Sequence, residues 1–142
     1  MIQVGFIGWR SLVGKVLRQR LTQEQDLRGC IHRYYSTTQA GNPAPPAASH
    51  PILEDANDLQ ELAKNNIIIS TQGSAFTEKT LQPLRQNGWD GYWIDAASHA
   101  RLHPNSTLAL DPINHASINH ALSTGNKDFI GANCTVSLML LA

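Results

Sequence analysis

Cysteine is scarce. Cys30 and Cys134 are the only two among 142 residues, too few for a disulfide framework, and both are read as free thiols of a reducing compartment. An excess of charge is also missing. Eleven Lys and Arg balance eleven Asp and Glu without a basic cluster, which removes the electrostatic footprint of a protein that binds nucleic acid or an anionic membrane surface. No apolar run approaches the roughly 20 residues that cross a bilayer, and the first residues lack the charged, apolar and small segments of a secretory signal. A cytoplasmic location is the simplest reading. Six histidines are present, but His99 with His103 and His115 with His120 lack the cysteine or carboxylate that would complete a ligand set, so no metal is expected and the histidines are read as surface residues. No repeat with a period of about 20 to 50 residues appears, which argues against a solenoid or propeller.

What is present is enough apolar material for one core: 42% of the residues are hydrophobic, in a chain of single-domain length. Apolar runs at Ile2–Ile7, Ile31–Tyr35, Ile67–Thr71, Tyr92–Asp95, Thr107–Leu110 and Phe129–Ile130 read as strands. Between them, Leu12–Leu21, Leu59–Lys64, Glu78–Gln86 and Ala116–Leu122 carry apolar residues at helical spacing. Alternating strands and helices favour right-handed crossovers, and the predicted class is α/β: a Rossmann-like, doubly wound, mostly parallel sheet with helices on both faces. Gln39–Pro51 holds four of the seven prolines; without their N–H donors it cannot supply a regular ladder and is read as a surface loop. From Cys134 to Ala142 an apolar helix begins with no glycine or basic residue to close it, so the chain is expected to be cut short of its natural partner layer.

After the first strand, Gly8 and Gly14 frame a turn into a helix beginning near Leu12. Gly8 permits a tight turn, Gly14 a close helix–strand approach, and the free N–H groups of the helix start attract a diphosphate. Simple packing glycines are the competing reading. An NAD site usually ends its second strand with Asp or Glu for the ribose 2′-hydroxyl. Here that end is Tyr35, Ser36, Thr37, Thr38, and these hydroxyls together with the planar fork of Arg10 suit a 2′-phosphate, hence NADP. A solvated arginine is the alternative for Arg10.

Cys134 stands where a short strand gives way to a helix, so backbone N–H groups favour its thiolate, the form that attacks a carbonyl. A buried structural cysteine is the competing reading, and it is the reading taken for Cys30. Asn133 can stabilise an oxyanion or cap the same helix. Arg101 follows the strand end at Asp95, where ligand loops of doubly wound sheets gather, and can bind a phosphoryl group.

Six segments in order, VGFIGWRSLVG (4–14), STTQ (36–39), STQG (70–73), GWDGYWIDAAS (88–98), LDPIN (110–114) and GANCTVSLML (131–140), resemble the bacterial aspartate-semialdehyde dehydrogenases, in the branch of the enterobacterial enzymes. The resemblance implies an NADP-dependent homodimeric enzyme that reductively dephosphorylates L-aspartyl 4-phosphate to the semialdehyde through a cysteine acyl-thioester, for lysine (diaminopimelate), threonine and methionine synthesis. It implies cofactor contacts at Gly8, Arg10, Ser11, Leu12, Val13, Thr37, Thr38 and Gln72, a substrate-phosphate arginine at Arg101, and a nucleophile at Cys134 with Asn133 beside it. Two departures stand out: Ser11 replaces the usual glycine of the turn, and Ala132 a glycine common before the Asn-Cys pair. The resemblance also implies that residues 1–142 are the NADP-binding domain alone. The family's catalytic and dimerisation domain, with its acid/base histidine, carboxylate-binding arginine and a glutamine, would be absent. A truncated enzyme inactive by itself, a non-catalytic NADP- or partner-binding module, and a degenerate remnant all stay open on the sequence.

Overall fold

A computed structural model describes residues 1–142. Its elements in chain order are β1 (Gln3–Ile7), α1 (Leu12–Gln23), β2 (Ile31–Ser36), β3 (Glu54–Asp55), α2 (Leu59–Leu62), β4 (Ile67–Ser70), α3 (Ser74–Gln86), β5 (Tyr92–Asp95), β6 (Ser106–Ala109), α4 (Asp111–Ser123), β7 (Asp128–Gly131) and α5 (Cys134–Leu141). The strands form one seven-stranded sheet in the order β3-β2-β1-β4-β5-β7-β6. Every pairing is parallel, so the expected doubly wound sheet is present. The order reverses between β1 and β4, and in such sheets ligands gather at that switch point, outside the carboxyl ends of the strands.

Period-two alternation sends successive strand residues to opposite faces. One face carries Ile7, Tyr35, Ile68, Trp93 and Ile130, packed with Leu62 of α2 and with Phe76, Leu81 and Leu84 of α3. Phe76 stacks on Trp93 at 6.5 Å between ring centroids, and Trp89 meets Trp93 edge-on at 6.4 Å. The other face carries Val4, Phe6 and Tyr34 against Leu21 of α1, Leu53, and Ala44 and Ala48 of the proline-rich loop. α5 buries none of its residues.

Several boundaries differ from those predicted, each for a local reason. β3 went unpredicted because it is two acidic residues with no apolar signal. α3 begins four residues earlier than expected: Gly73, at φ +105°, makes the turn, and the buried face then includes Thr77 and Thr80, whose hydroxyls mask the apolar period. The loop at Gln39–Pro51 lies where expected, yet its ends pair antiparallel at Pro43 and Ile52. Ala44 N–H donates to the Pro51 carbonyl and Leu53 N–H to that of Asn42, so a proline serves here as acceptor, a role that needs no N–H. The histidines are not all superficial. His32 and His50 are half-buried, and His32 Nδ1 is enclosed without a partner.

Trp93 is fully buried and donates its indole N–H to Asp95 Oδ2 at 3.1 Å. Trp93→Ala should cost about 3–5 kcal/mol in urea unfolding; a loss below 1 kcal/mol, the range of surface substitutions, is incompatible with this core. Burial holds His32 below its ordinary 6.5. The folded state therefore disfavours a proton that the unfolded chain accepts. Its contribution to stability is complete above 6.5 and is lost as pH falls below that value. Unfolding at about pH 7.5 and about pH 5.5 should show this acid-side decline shrinking in His32→Gln, and an unchanged decline would exclude His32 as its source.

Candidate functional site

The turn from β1 into α1 is built by contact with the end of β4. Gly8 has φ +74°, and a Cβ there would lie 2.5 Å from the Gln72 nitrogen and the Thr71 carbonyl carbon. At Gly14 a Cβ would meet the Gly8 oxygen and Trp9 Cα at 2.6 Å. Both glycines are therefore demanded by packing, and the phosphate reading adds to that need. Ser11 is the N-cap of α1: its Oγ accepts from Gly14 N–H at 3.0 Å and donates to Thr71 Oγ1 at 3.1 Å. Thr71 Oγ1 in turn donates to the Gly8 carbonyl at 2.8 Å. The first-turn N–H groups of Leu12 and Val13 have no intrahelical acceptor, and they follow directly on Ser11, which lines a cleft; donors at a helix start attract anions.

That cleft, of about 460 Å³, is lined by Gly8, Trp9, Arg10, Ser11, Tyr35 to Thr38, Thr71 and Gln72. No carboxylate is among them. The buried Ser36 shapes its far wall, since Ser36 Oγ accepts from Gln39 N–H at 3.1 Å. Asn57 Nδ2 donates to the Thr37 carbonyl at 3.1 Å, and Trp9 Nε1 donates to the Tyr35 carbonyl at 3.2 Å. Arg10 lies over the Trp9 ring, 5.4 Å from its centroid, and donates from Nη1 to Gln39 Oε1. A roomier cleft of about 710 Å³, between Met1, Ile67 and Tyr92, lies at the opposite ends of the strands, away from the switch point where such sheets bind ligands.

Along the same carboxyl edge, Cys134 is the first residue of α5 and is exposed. The buried-cysteine reading therefore does not hold for it. Cys30, read as a buried structural cysteine, packs against the second core face but is only half-buried. Asn133 caps α5, with Oδ1 accepting from Thr135 N–H at 2.9 Å and Val136 N–H at 3.4 Å, which leaves its amide N–H groups free to donate. Arg101 reaches the same loop: Nε donates to the Gly131 carbonyl at 2.8 Å and Nη2 to the Ala96 carbonyl at 3.4 Å. Its own loop is held by Asp95, 2% exposed, which accepts from Thr77 Oγ1, Trp93 Nε1 and Ala97 N–H. Ser74 and Ser98 hydroxyls, 3.3 Å apart, connect this loop to the start of α3 beside Gln72.

The structure thus brings Gly8, Arg10, Ser11, Thr37, Thr38 and Gln72 to one cleft, and Arg101 to the loop of Asn133 and Cys134. Leu12 and Val13 are not among the residues lining that cleft, and their side chains are exposed. Sequence reasoning overlooked Thr71, Asn57 and the contact of Gln39 with Arg10. Their only signals are polar residues beside strand ends, a pattern shared by most loops. No group of three or more potential metal ligands occurs, and no helix is long and apolar enough to cross a membrane.

Residues 3–121 match the family described as semialdehyde dehydrogenase, NAD binding domain. Among solved structures, an aspartate semialdehyde dehydrogenase from Francisella tularensis superposes on all of this chain and 39% of its own, with a TM-score of 0.95 and 45% identity. Aspartate semialdehyde dehydrogenase II from Vibrio cholerae, complexed with ASA, covers 99% of this chain and 44% of its own at a TM-score of 0.75 and 16% identity. The Candida albicans enzyme with NADP covers 96% and 44% at 0.63 and 14%; these two share the fold. The chain spans less than half the length of each.

Ser11 offers a direct check of the turn. Ser11→Ala removes the cap and should cost about 1 kcal/mol in urea unfolding, whereas Ser11→Gly should cost only a few tenths. Equal losses would mean that the hydroxyl matters chiefly through Thr71.

Proposed function

The chain belongs to the semialdehyde dehydrogenase family and carries its NAD-binding domain; from that premise we propose that residues 1–142 are the NADP-binding domain of an aspartate-semialdehyde dehydrogenase. The reaction is the reductive dephosphorylation of L-aspartyl 4-phosphate to the semialdehyde, in the cytoplasm, on the route to lysine, threonine and methionine. What carries the reading is a placement: a carboxylate-free phosphate cleft and an exposed helix-start thiol share the carboxyl edge of one parallel sheet.

The residues fit the cofactor. Gly8 and the free N–H groups of Leu12 and Val13 receive the diphosphate, while Arg10, Thr37 and Thr38 receive the 2′-phosphate, with Gln72 as a further contact. When bound, the reduced nicotinamide supplies hydride. Arg101 holds the substrate phosphoryl group near the thiol, because its Nε is hydrogen-bonded to the Gly131 carbonyl of the cysteine loop and its Nη2 to the Ala96 carbonyl of its own loop. The Cys134 thiolate attacks the acyl carbon. The new C–S bond replaces the C–O bond to phosphate, which departs with the electron pair of that bond. Asn133 stands beside the thiol with free amide N–H groups to donate to the carbonyl oxygen as charge develops. The family resemblance assigns an acid/base histidine and an arginine for the substrate carboxylate to none of the motifs in residues 1–142, and on this reading the chain by itself is expected to bind cofactor without turning over.

Calorimetric titration of the chain should show NADP binding more tightly than NAD, and Arg10→Ala should weaken NADP by about tenfold or more with a smaller effect on NAD. Equal losses for the two nucleotides would remove the 2′-phosphate assignment. In whichever assembly turns over, Cys134→Ala should abolish the reaction of aspartate semialdehyde, phosphate and NADP while NADP still binds. Surviving turnover would remove Cys134 as nucleophile.

A further inference from the structure

We infer that Gln39 is the specificity-determining partner of Arg10: it holds the guanidinium at the cleft wall while leaving its positive charge unspent, so that the cleft selects a 2′-phosphorylated ribose. The inference rests on the NADP reading above and names the residue that sets its selectivity. Arginine is long and rich in rotamers, and ordering it on binding opposes affinity unless it is ordered beforehand. Two contacts order it here. The guanidinium lies over the Trp9 ring, 5.4 Å from its centroid, and Nη1 donates to Gln39 Oε1. The backbone that carries Gln39 is itself fixed, because its N–H donates at 3.1 Å to Ser36 Oγ, a hydroxyl on a residue only 5% exposed at the end of β2. A chain of contacts therefore runs from the sheet edge through Ser36 and Gln39 to Arg10.

The chemistry of the side chain matters as much as its position. A neutral amide oxygen accepts one of the five guanidinium N–H groups and leaves the others for phosphate oxygens. No residue pairs Arg10 with a carboxylate, and none of the cleft-lining residues is acidic. Glutamate of the same length at position 39 would neutralise Arg10 and repel the phosphate, while still accepting the same hydrogen bond. Position 39 is thus where a single oxygen-for-nitrogen exchange should change cofactor choice.

The test measures affinities of the chain for adenosine 2′,5′-bisphosphate and for AMP, which differ by the 2′-phosphate, in the wild type, Gln39→Ala and Gln39→Glu. The wild type should prefer the bisphosphate. Gln39→Ala should cut that preference by about fivefold to tenfold, and Gln39→Glu further, with AMP affinity unchanged in both. Melting curves establish that each variant folds, and the near-isosteric glutamate carries the test if the alanine variant does not. A ratio that stays at the wild-type value in both variants overturns the role of Gln39. A wild type that does not discriminate overturns the NADP reading itself, and the inference with it.

Discussion

The close approach of the β1–α1 turn to the end of β4 is the constraint on which the rest depends. At Gly8 the backbone of Thr71 and Gln72 leaves no room for a Cβ. The Thr71 hydroxyl closes the gap by donating to the Gly8 carbonyl while receiving the Ser11 hydroxyl. This contact joins two neighbouring parallel strands at the switch point of the sheet, where the crossovers diverge and a crevice must open. One arrangement thereby fixes the helix start, the direction of its free N–H groups and one wall of the cleft. Ser11, a departure from the glycine usual in the resembled family, becomes intelligible in this setting. It adds a side-chain hydrogen bond to the Gly14 N–H that glycine lacks, and it ties that cap to Thr71 after β4.

Much of this was legible in the sequence, though unevenly. Strands with strong apolar runs such as Ile67–Ser70 and Tyr92–Asp95 appear where expected, because the run itself is unbroken, even though one face is buried and the other only partly covered, with Ile94 exposed. The edge strand Glu54–Asp55 has no such demand and therefore no signal. The first turn of α3 was hidden for a different reason: Thr77 is buried because Asp95 accepts its hydroxyl, so a polar residue occupies a core position through a partner 18 residues away. Period-based reasoning sees the residue and cannot see the partner.

The site shows the same division. Gly8, Arg10, Ser11, Thr37, Thr38 and Cys134 were legible because their residue types carry chemistry in a recognisable local setting. The roles of Thr71, Asn57 and Gln39 depend on contacts between segments distant in sequence. Asn57 reaches the Thr37 carbonyl across 20 residues, and Arg10 reaches Gln39 across 29. Nothing in either segment alone specifies the other. The side chains that shape a cleft were therefore harder to find than those that face into it.

The second part of the edge follows a related logic around a buried charge. Asp95 sits at the end of β5 with almost no access to water, a position tolerable only because three donors satisfy it. Those donors come from α3, from β5 itself and from the following loop, so one carboxylate joins three segments. The same loop delivers Arg101, whose Nε is occupied by the Gly131 carbonyl beside Asn133 and Cys134. An arginine free in solution would bring charge to a phosphoryl group but not direction. Hydrogen-bonded to both loops, it brings both. Arg101 and the thiol thus share one edge of the sheet, joined through the Gly131 carbonyl; on the proposed reading, part of the cost of ordering the phosphoryl-binding group is met by folding rather than by binding.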